Sequence, residues 1–454
     1  MQRDHAVVVG AGLAGLLTAR ILSHHFTDVV VVDRDRLPGQ AQPRQGVAQS
    51  RHAHGLVARG QEIFETLFPG ISGQLRQRGV VPGDFNSDID WYFGGHLLAP
   101  GKSGLTSIPA TRPTLEFEVR RRVTDLPNVV VRDHTEVTAL RTRHRQVTGL
   151  ELYSLPTKTS QEIETDFVVD CSGRGGRLAK WMATQDMTPP DEETVEIGLG
   201  YTSARFAVSE DPFGDKIATI LANSPKEPRG CFFYRSPYGD NEVEISLTGM
   251  LGDHAPTDLP GFMEFVRSLP VPSIYTALRG AEVVDHPVKL TYPASRWRHY
   301  ESCPELFDNL VPLGDAICSL DPIYAQGMTV AALQALELDR LLAAKRFSAR
   351  TYHRACARII GQAWSVSAGA DLAYPAAKGR RTVFVRFANQ YISALHVAAR
   401  VDPVLSNTFF QVAGLMRSPA TLFHPHVVAR VLVGTLRAGR TRSLEPTRSN
   451  RVHT

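Results

Sequence analysis

The chain has 454 residues, of which 43% are hydrophobic and 21% charged, and its formal net charge is +4. A charge this small over this length argues against nucleic acid as a partner, because nucleic-acid binding needs a strongly basic face. The length predicts two or three domains, since a single hydrophobic core stops growing near ~250–300 residues.

A complete dinucleotide-binding motif opens the chain. An apolar strand is predicted over residues 6–9, and a second one ends at Asp33, where an acidic side chain can accept hydrogen bonds from a ribose. The glycines between these two strands permit a tight turn, a close approach of the backbone to a pyrophosphate, and close packing of the following helix on the sheet. This motif predicts a dinucleotide but does not separate FAD from NAD. Its small residues are Gly10, Gly12, Ala14 and Gly15.

A polar segment, residues 43–54, follows without helical or strand periodicity. A long polar loop inside a compact domain is usually either functional or disordered, and the functional interpretation is favoured here. Its two arginines and two histidines, Arg44, Arg51, His52 and His54, are expected near the diphosphate. No acidic residue stands among them to complete a metal site, so no metal is predicted.

The middle of the chain predicts antiparallel structure. Residues 146–170 predict a strand pair, which ends in a second glycine-rich turn over residues 171–177. From about residue 195 to residue 300, apolar and polar residues alternate, as in an antiparallel sheet with one solvated face. Because this sheet is inserted between two cofactor motifs, it is the predicted substrate domain.

The second cofactor motif lies over residues 309–328. A short apolar strand ends at Gly314 and Asp315, and Gln326, Gly327 and Met328 open a long helix. The positive end of such a helix can stabilise an anionic ring. Taken alone, the pattern is equally typical of a strand, a turn and a helix cap, with Asp315 as a surface acid.

The remainder predicts helices, over residues 351–368, 382–401, 403–416 and 426–436. The second of them carries an apolar stripe whose helical spacing favours a core face over the alternative, the wall of a pocket. That stripe consists of Val383, Phe384, Phe387, Tyr391, Ile392 and Leu395.

These motifs resemble those of the FAD-dependent superfamily of aromatic hydroxylases and squalene epoxidases. Within it, the chain looks most similar to the actinobacterial flavin epoxidases that act on polyene precursors of polyether antibiotics. The resemblance covers nearly the whole chain. It implies an α/β fold: a Rossmann-like FAD-binding domain of the glutathione-reductase type, an inserted antiparallel substrate domain and a C-terminal helical region. The implied boundaries are 1–195 with 301–345, then 196–300, 346–438, and a disordered tail over 439–454.

The resemblance also implies roles for individual residues. Tyr201, Arg205 and Tyr324 are candidates for the substrate side of the flavin. The implied FAD-binding residues are Gly10, Gly12, Ala14, Gly15, Asp33, Arg34, Arg44, Gln49, Arg51, Arg112, Val131, Gly314, Asp315, Gln326, Gly327 and Met328.

The implied activity is that of a monooxygenase in secondary metabolism. A flavin C4a-hydroperoxide would epoxidise or hydroxylate a large apolar polyketide or terpenoid alkene. Such an epoxidation needs no protein nucleophile, so no catalytic residue is predicted. Ser172 precedes Gly173, where hydroxylases that bind NADPH through an Asp-Gly motif have an acid. NAD(P)H is therefore expected to supply electrons either directly or through a separate flavin reductase.

Three alternatives stay open. The first is a flavin-dependent reductase or dehydrogenase of prenyl or polyene double bonds. The second is a flavin halogenase, although the Trp-x-Trp-x-Ile-Pro pattern is absent and its nearest counterpart is Trp91-Tyr92-Phe93. The third is a flavin binder without catalytic activity.

Cysteine usage and hydropathy predict the compartment. The five cysteines are scattered, which is typical of reduced thiols. The first apolar run is too short for a signal peptide, and no uncharged run reaches the ~18 residues of a membrane span. A cytoplasmic protein without a transmembrane segment is expected.

Overall fold

A computed structural model describes residues 4–239 and 241–442. Its strands are β1 (His5–Val9), β2 (Asp28–Val32), β3 (Gly83–Asp84), β4 (Ile89–Phe93), β5 (His96–Leu97), β6 (Thr106–Ser107), β7 (Val129–Arg132), β8 (Thr135–Arg143), β9 (Gln146–Ser154), β10 (Thr159–Glu164), β11 (Phe167–Asp170), β12 (Glu192–Ala207), β13 (Ala218–Ala222), β14 (Arg229–Arg235), β15 (Glu242–Gly249), β16 (Glu282–Arg298), β17 (Leu310–Pro312) and β18 (Cys318–Ser319). Its α-helices are α1 (Leu13–Leu22), α2 (Ala58–Leu67), α3 (Ile71–Gln77), α4 (Arg112–Thr124), α5 (Leu178–Thr184), α6 (Leu259–Arg267), α7 (Pro272–Leu278), α8 (Gly327–Ala343), α9 (Ala349–Asp371), α10 (Val383–Ala399), α11 (Pro403–Ala413) and α12 (Pro425–Arg442).

A parallel sheet of five strands forms the first layer, in the order β17-β11-β1-β2-β7. Its central strands are mostly apolar, because both faces of a parallel sheet are covered, and their polar residues stand at strand ends. Val8, Val31 and Val168 are completely buried there. In open sheets of this kind, ligands bind beyond the carboxyl ends of the strands. The strand order brings the two sequence motifs together at that edge, since β1 is separated from β17 only by β11.

An eight-stranded sheet forms the second large layer, in the order β18-β16-β12-β15-β14-β13-β4-β5. Its long antiparallel pair, β12 and β16, has 16 and 17 residues. Helices α6 and α7 cover one face through a core that includes Phe206 and Phe262. Residues 89–97 also join this sheet, because β4 pairs in parallel with β13. The predicted fold class, a Rossmann-like parallel core with separate antiparallel sheets and C-terminal helices, is confirmed, whereas the domain boundaries stay a prediction.

The four C-terminal helices form where they were predicted, but the predicted core stripe of α10 is partly wrong. Leu395 is buried, whereas Val383, Phe384 and Phe387 are 83%, 63% and 56% exposed. The neighbouring helices cover only the C-terminal half of α10, where Ala398 and Ala399 are also buried. Helix α12 continues to Arg442, past the start of the predicted tail, and residues 443–454 lie outside the described residues.

Candidate cofactor site

A cleft of about 1810 Å³ opens at the carboxyl edge of the parallel sheet. Parts of segments 9–14, 32–49, 171–184 and 314–331 line it, together with Arg112. The cleft therefore draws on both sequence motifs, which lie far apart along the chain.

In the glycine-rich turn, a β-carbon would find room at one glycine and would clash with backbone atoms at the other two. A β-carbon on Gly10, whose φ is +107°, would lie 2.5 Å from the carbonyl oxygen of Cys171. One on Gly15 would lie 1.7 Å from the carbonyl oxygen of Gly10. A β-carbon on Gly12, by contrast, would meet only the guanidinium groups of Arg44 and Arg112, at 3.8 and 3.9 Å. Bare backbone therefore faces the cleft at Gly12.

Helix α1 begins directly after Gly12, which provides no side-chain cap. The first amides of a helix have no partner within the helix, and its dipole places positive charge there. This end of α1 can therefore bind an anion through backbone N–H groups.

Asp33 ties this turn to the end of β2. One of its carboxylate oxygens accepts a hydrogen bond from the backbone N–H of Ala11 at 2.6 Å. The other accepts one from the N–H of Asp35 at 2.8 Å. Burial raises the pKa of Asp33, and the nearby charge of Arg44 opposes that shift. Asp33 thus has a structural task in addition to its predicted contact with a ribose.

Two guanidinium groups are held at the turn by a buried carboxylate. Arg44 donates to Glu116 at 2.7 Å and to Asp35 at 2.8 Å, and Arg112 donates to the other oxygen of Glu116 at 3.2 Å. The three side chains Arg44, Arg112 and Glu116 are 8%, 12% and 6% exposed. A buried charge is tolerated only when it is paired and hydrogen-bonded. Glu116 was not predicted; its spacing of four residues from Arg112 in a helix is the signal that could have revealed it.

The second motif reaches the cleft through β17. Gly314, with a φ of +70°, donates its N–H to the side chain of Gln334 at 2.7 Å. Burial raises the pKa of Asp315, and the charges of Arg112 and Arg174 oppose that shift. The chain then passes to α8, whose first residues Gly327 and Met328 also line the cleft.

Most of the predicted cofactor residues meet at this cleft, and four do not line it. Gly15 packs under Gly10, Arg51 is exposed, and Val131 pairs with Val31 on the edge strand β7. Gln326 is completely buried and donates to the carbonyl of Ala413 at 3.0 Å. The predicted residues that line the cleft are Gly10, Gly12, Ala14, Asp33, Arg34, Arg44, Gln49, Arg112, Gly314, Asp315, Gly327 and Met328.

The two histidines of the polar segment do not line the cleft. The Nδ1 atom of His52 lies 2.8 Å from the hydroxyl of Ser203, which in turn lies 2.6 Å from that of Ser246. Burial lowers the pKa of His52 to about 4 and that of His54 to about 3, so both rings are neutral at physiological pH. His52 therefore connects the polar segment to β12 and β15, in place of the diphosphate contact that was expected.

The three substrate-side candidates separate into two places, and none lines the large cleft. Tyr201 is buried in an apolar cluster with Ile197 and Tyr292. The hydroxyl of Tyr324 donates to Asp371 at 3.0 Å. Arg205 lies elsewhere and pairs with Glu242 and Asp285 at 3.0 and 2.8 Å, its guanidinium over the ring of Tyr238.

Asp321 and Asp371 form a buried acidic pair beside these tyrosines. Both residues are completely buried, and each leaves one carboxylate oxygen without a hydrogen-bond partner among the described residues. Burial raises the pKa of Asp321 to about 7. Burial and the charge of Asp321 raise the pKa of Asp371 well above its ordinary value. Because two neighbouring like charges do not both ionise readily, the pair keeps at least one proton at neutral pH. Asp371 was not predicted, and no local pattern marks it.

This pair makes stability depend on pH. The folded-state pKa of Asp321 is raised, so its contribution to the free energy of unfolding is full below about pH 4 and is lost as the pH rises through about 7. We expect Asp321→Asn, which removes the titration of this carboxyl group, to gain stability relative to the parent protein as the pH rises from about 4 to about 7. Urea unfolding across that range measures the difference, with Asp215→Asn, whose side chain is 87% exposed, as the control. A difference that stays constant with pH contradicts the prediction.

Comparisons with known proteins agree with this geometry. Residues 4–230 match the family model described as FAD binding domain. Protein Rv3254 of Mycobacterium tuberculosis (strain ATCC 25618 / H37Rv) is 32% identical over 453 residues, which cover 96% of this chain and 94% of that protein. Among the described residues, no helix has the length and apolar character needed to cross a membrane.

Two solved structures share the fold at low identity. The flavin-dependent brominase Bmp2 has a TM-score of 0.66 and 12% identity, covering 96% of this chain and all of that chain (100%). PqsL of Pseudomonas aeruginosa, described as a probable FAD-dependent monooxygenase, has a TM-score of 0.58 and 16% identity, covering 89% and 100%. The family match spans half of the chain, and the mycobacterial relative spans nearly all of it. The chain belongs to the family of proteins that carry this FAD binding domain.

Proposed function

We propose that this protein is an FAD-dependent monooxygenase that epoxidises or hydroxylates a large apolar intermediate, a polyketide or terpenoid alkene. Family membership and fold support a flavin-dependent oxidoreductase. The observation that carries the proposal is the bare backbone at Gly12, flanked by the buried guanidinium groups of Arg44 and Arg112.

The residues at the cleft fit FAD. Gly12 leaves room where a β-carbon would project, and the uncapped start of α1 offers N–H donors to a diphosphate. Arg44 and Arg112 are already oriented by Glu116, so little side-chain entropy is lost when an anion binds them. Asp315 makes no hydrogen bond within the described chain, which leaves its carboxylate available to a hydroxylated chain such as ribityl.

Bound FAD would supply the redox and oxygen-transfer chemistry. Arg44 and Arg112 would neutralise the diphosphate, and the positive end of α8 would stabilise negative charge on the flavin pyrimidine. Alkene epoxidation needs no protein nucleophile, so the remaining task of the chain is to orient the double bond and exclude water. The buried ring of Tyr201 and the half-buried ring of Tyr324 are suited to form an apolar wall that keeps water away from the double bond.

Electrons would come from NAD(P)H, either directly or through a separate flavin reductase. Asp170 is completely buried and accepts hydrogen bonds from the backbone N–H groups of Ser172, Arg177 and Leu178 at 2.8–3.0 Å. Its carboxylate is therefore occupied within its own turn. The position before Gly173 is Ser172, which offers no charge for a nicotinamide nucleotide.

Anaerobic reduction followed by mixing with oxygen in a stopped-flow spectrophotometer tests the proposal. We expect extractable FAD and a transient near-ultraviolet species between the reduced and oxidised flavin. Incorporation of labelled oxygen into a polyene substrate would then establish the reaction class. Slow reoxidation without a transient species, together with loss of an alkene and no incorporated oxygen, would assign reductase or dehydrogenase chemistry instead.

A further inference from the structure

The last part of the chain is strongly basic. Residues 372–454 carry twelve Lys and Arg side chains against two acidic ones, Asp402 and Glu445, whereas the whole chain has a net charge of +4. The rest of the chain is therefore net acidic. Such an uneven distribution of charge favours a negatively charged partner that contacts the C-terminal part of the protein.

Helix α10 adds exposed apolar surface to this basic region. Val383, Phe384 and Phe387 are 83%, 63% and 56% exposed. The rings of Phe384 and Phe387 lie 6.1 and 6.3 Å from that of Phe423, so they form one cluster. Single exposed apolar residues need no explanation, but contiguous ones mark an interaction site. Arg386, within the same turns of the helix, is exposed as well.

Helix α12 repeats this arrangement. Leu432, Val433 and Leu436 are 64%, 47% and 71% exposed, and their spacing places them on one face. Helix α12 packs on α10, where a β-carbon on Gly434 would lie 2.7 Å from that of Ala398. The exposed stripe therefore lies away from that contact. The sequence of α12 also contains Arg437, Arg440 and Arg442.

Few acidic side chains offset the charge of this region, although Lys378 pairs with Glu196 of β12 at 2.9 Å. Asp402, the one acidic residue between 372 and 442, accepts hydrogen bonds from both Nε and a terminal nitrogen of Arg430 at 2.9 and 2.7 Å. A second copy of this chain docked on the same face would bring like charges together, which opposes association. Nucleic acid would satisfy the charge but would leave the leucines and phenylalanines exposed to water.

Helices with exposed Leu and Phe beside arginines match the composition of helices that lie in the interface of an anionic membrane. We propose that α10 and α12 bind the surface of an anionic phospholipid bilayer, with Phe384, Phe387, Leu432 and Leu436 inserted among the headgroups. The chain rests on this surface and does not span it. This inference stands independently of the proposed oxygenation chemistry.

Vesicle co-sedimentation of the full-length holoenzyme tests the proposal. We expect at least about tenfold stronger binding to vesicles with about one third phosphatidylglycerol in phosphatidylcholine than to phosphatidylcholine alone. Added salt should weaken this binding, because it screens the arginines. Failure to bind the anionic vesicles, or equal binding to both compositions, overturns the proposal.

Two double variants test the apolar contribution of each helix. Phe384→Ser with Phe387→Ser, and separately Leu432→Ser with Leu436→Ser, should each reduce binding by about fivefold or more, since each removes apolar area from the interface. The matched control is Val81→Ser with Leu251→Ser, two positions that are 50% and 42% exposed outside this region. Thermal unfolding and FAD content confirm that each variant is folded. Unchanged binding by both double variants shows attraction by charge alone and overturns the inserted geometry.

Sedimentation velocity without vesicles tests whether a second copy of this chain, and not a membrane, covers this face. A concentration-dependent dimer that either double variant abolishes, combined with no vesicle binding by the parent protein, identifies this face as an interface between copies and overturns the membrane assignment. A monomer that binds anionic vesicles supports it.

Discussion

Gly12→Ala is expected to weaken FAD binding by at least about tenfold, which corresponds to about 1.4 kcal/mol, while it leaves the flavin-free fold intact. The new methyl group would meet only the Arg44 and Arg112 guanidinium groups, at 3.8 and 3.9 Å, so the protein has room for it. Gly12 also has a φ of −71° and a ψ of 176°, a conformation open to alanine. The methyl group would, however, occupy the place where the diphosphate must approach the backbone.

Titration of flavin-free protein with FAD, followed by flavin fluorescence, measures this effect. The matched control is Gly73→Ala, because a β-carbon on Gly73 meets nothing within 4 Å and the residue lies in α3, outside the cleft. The control should bind FAD like the parent protein. If Gly12→Ala retains full affinity, the diphosphate does not bind at this turn, whatever the activity of the protein.

Asp170→Ala is expected to lower the free energy of unfolding by about 3–5 kcal/mol. The carboxylate accepts hydrogen bonds from the backbone N–H groups of Ser172, Arg177 and Leu178 and from the hydroxyl of Ser172. Asp170 and its bond to the N–H of Leu178 are completely buried, so water replaces these hydrogen bonds only in part when the side chain is truncated. Several orphaned donors, each costing about 1–3 kcal/mol, account for the size of the loss.

Urea unfolding measures the loss at a pH near neutrality, with flavin-free protein so that cofactor binding does not contribute. Asp170→Asn should lose less than Asp170→Ala, because its amide keeps one acceptor oxygen. Asp215→Ala, at a side chain that is 87% exposed, should change stability by less than about 0.5 kcal/mol. If Asp170→Ala is as stable as that control, Asp170 does not hold the second glycine-rich turn.

The segments with regular hydrophobic periodicity, and the glycine-rich turns that bound them, were predictable from the sequence. An uncharged apolar run before a glycine-rich turn predicts the buried strand β1, because the interior of a strand covered on both faces is apolar. Alternating residues after about residue 195 gave the antiparallel sheet for the same kind of local reason. At the candidate site, Gly12, Arg44, Arg112 and Asp315 were all named from motifs, and the structure brings them to one cleft.

The partners of those residues were not predictable. Glu116, which orients Arg44 and Arg112, comes from a helix 72 residues after Arg44. Asp371 stands beside Asp321 only because α9 packs against the turn that precedes α8. A motif reflects the conformation of one segment. It does not indicate which distant side chain will neutralise a buried charge in that segment.

The sequence by itself determined the dinucleotide-binding turn, the positions of the apolar strands along the chain and the basic composition of the C-terminal part. Each of these depends on neighbouring residues or on composition alone. Only the tertiary structure decided that His52 turns towards Ser203, that residues 89–97 join the large sheet, and that Phe384 and Phe387 face outwards. The physical reason is the same in each case. Helical or strand periodicity shows which face of an element is apolar, whereas the packing of distant elements decides whether that face is covered.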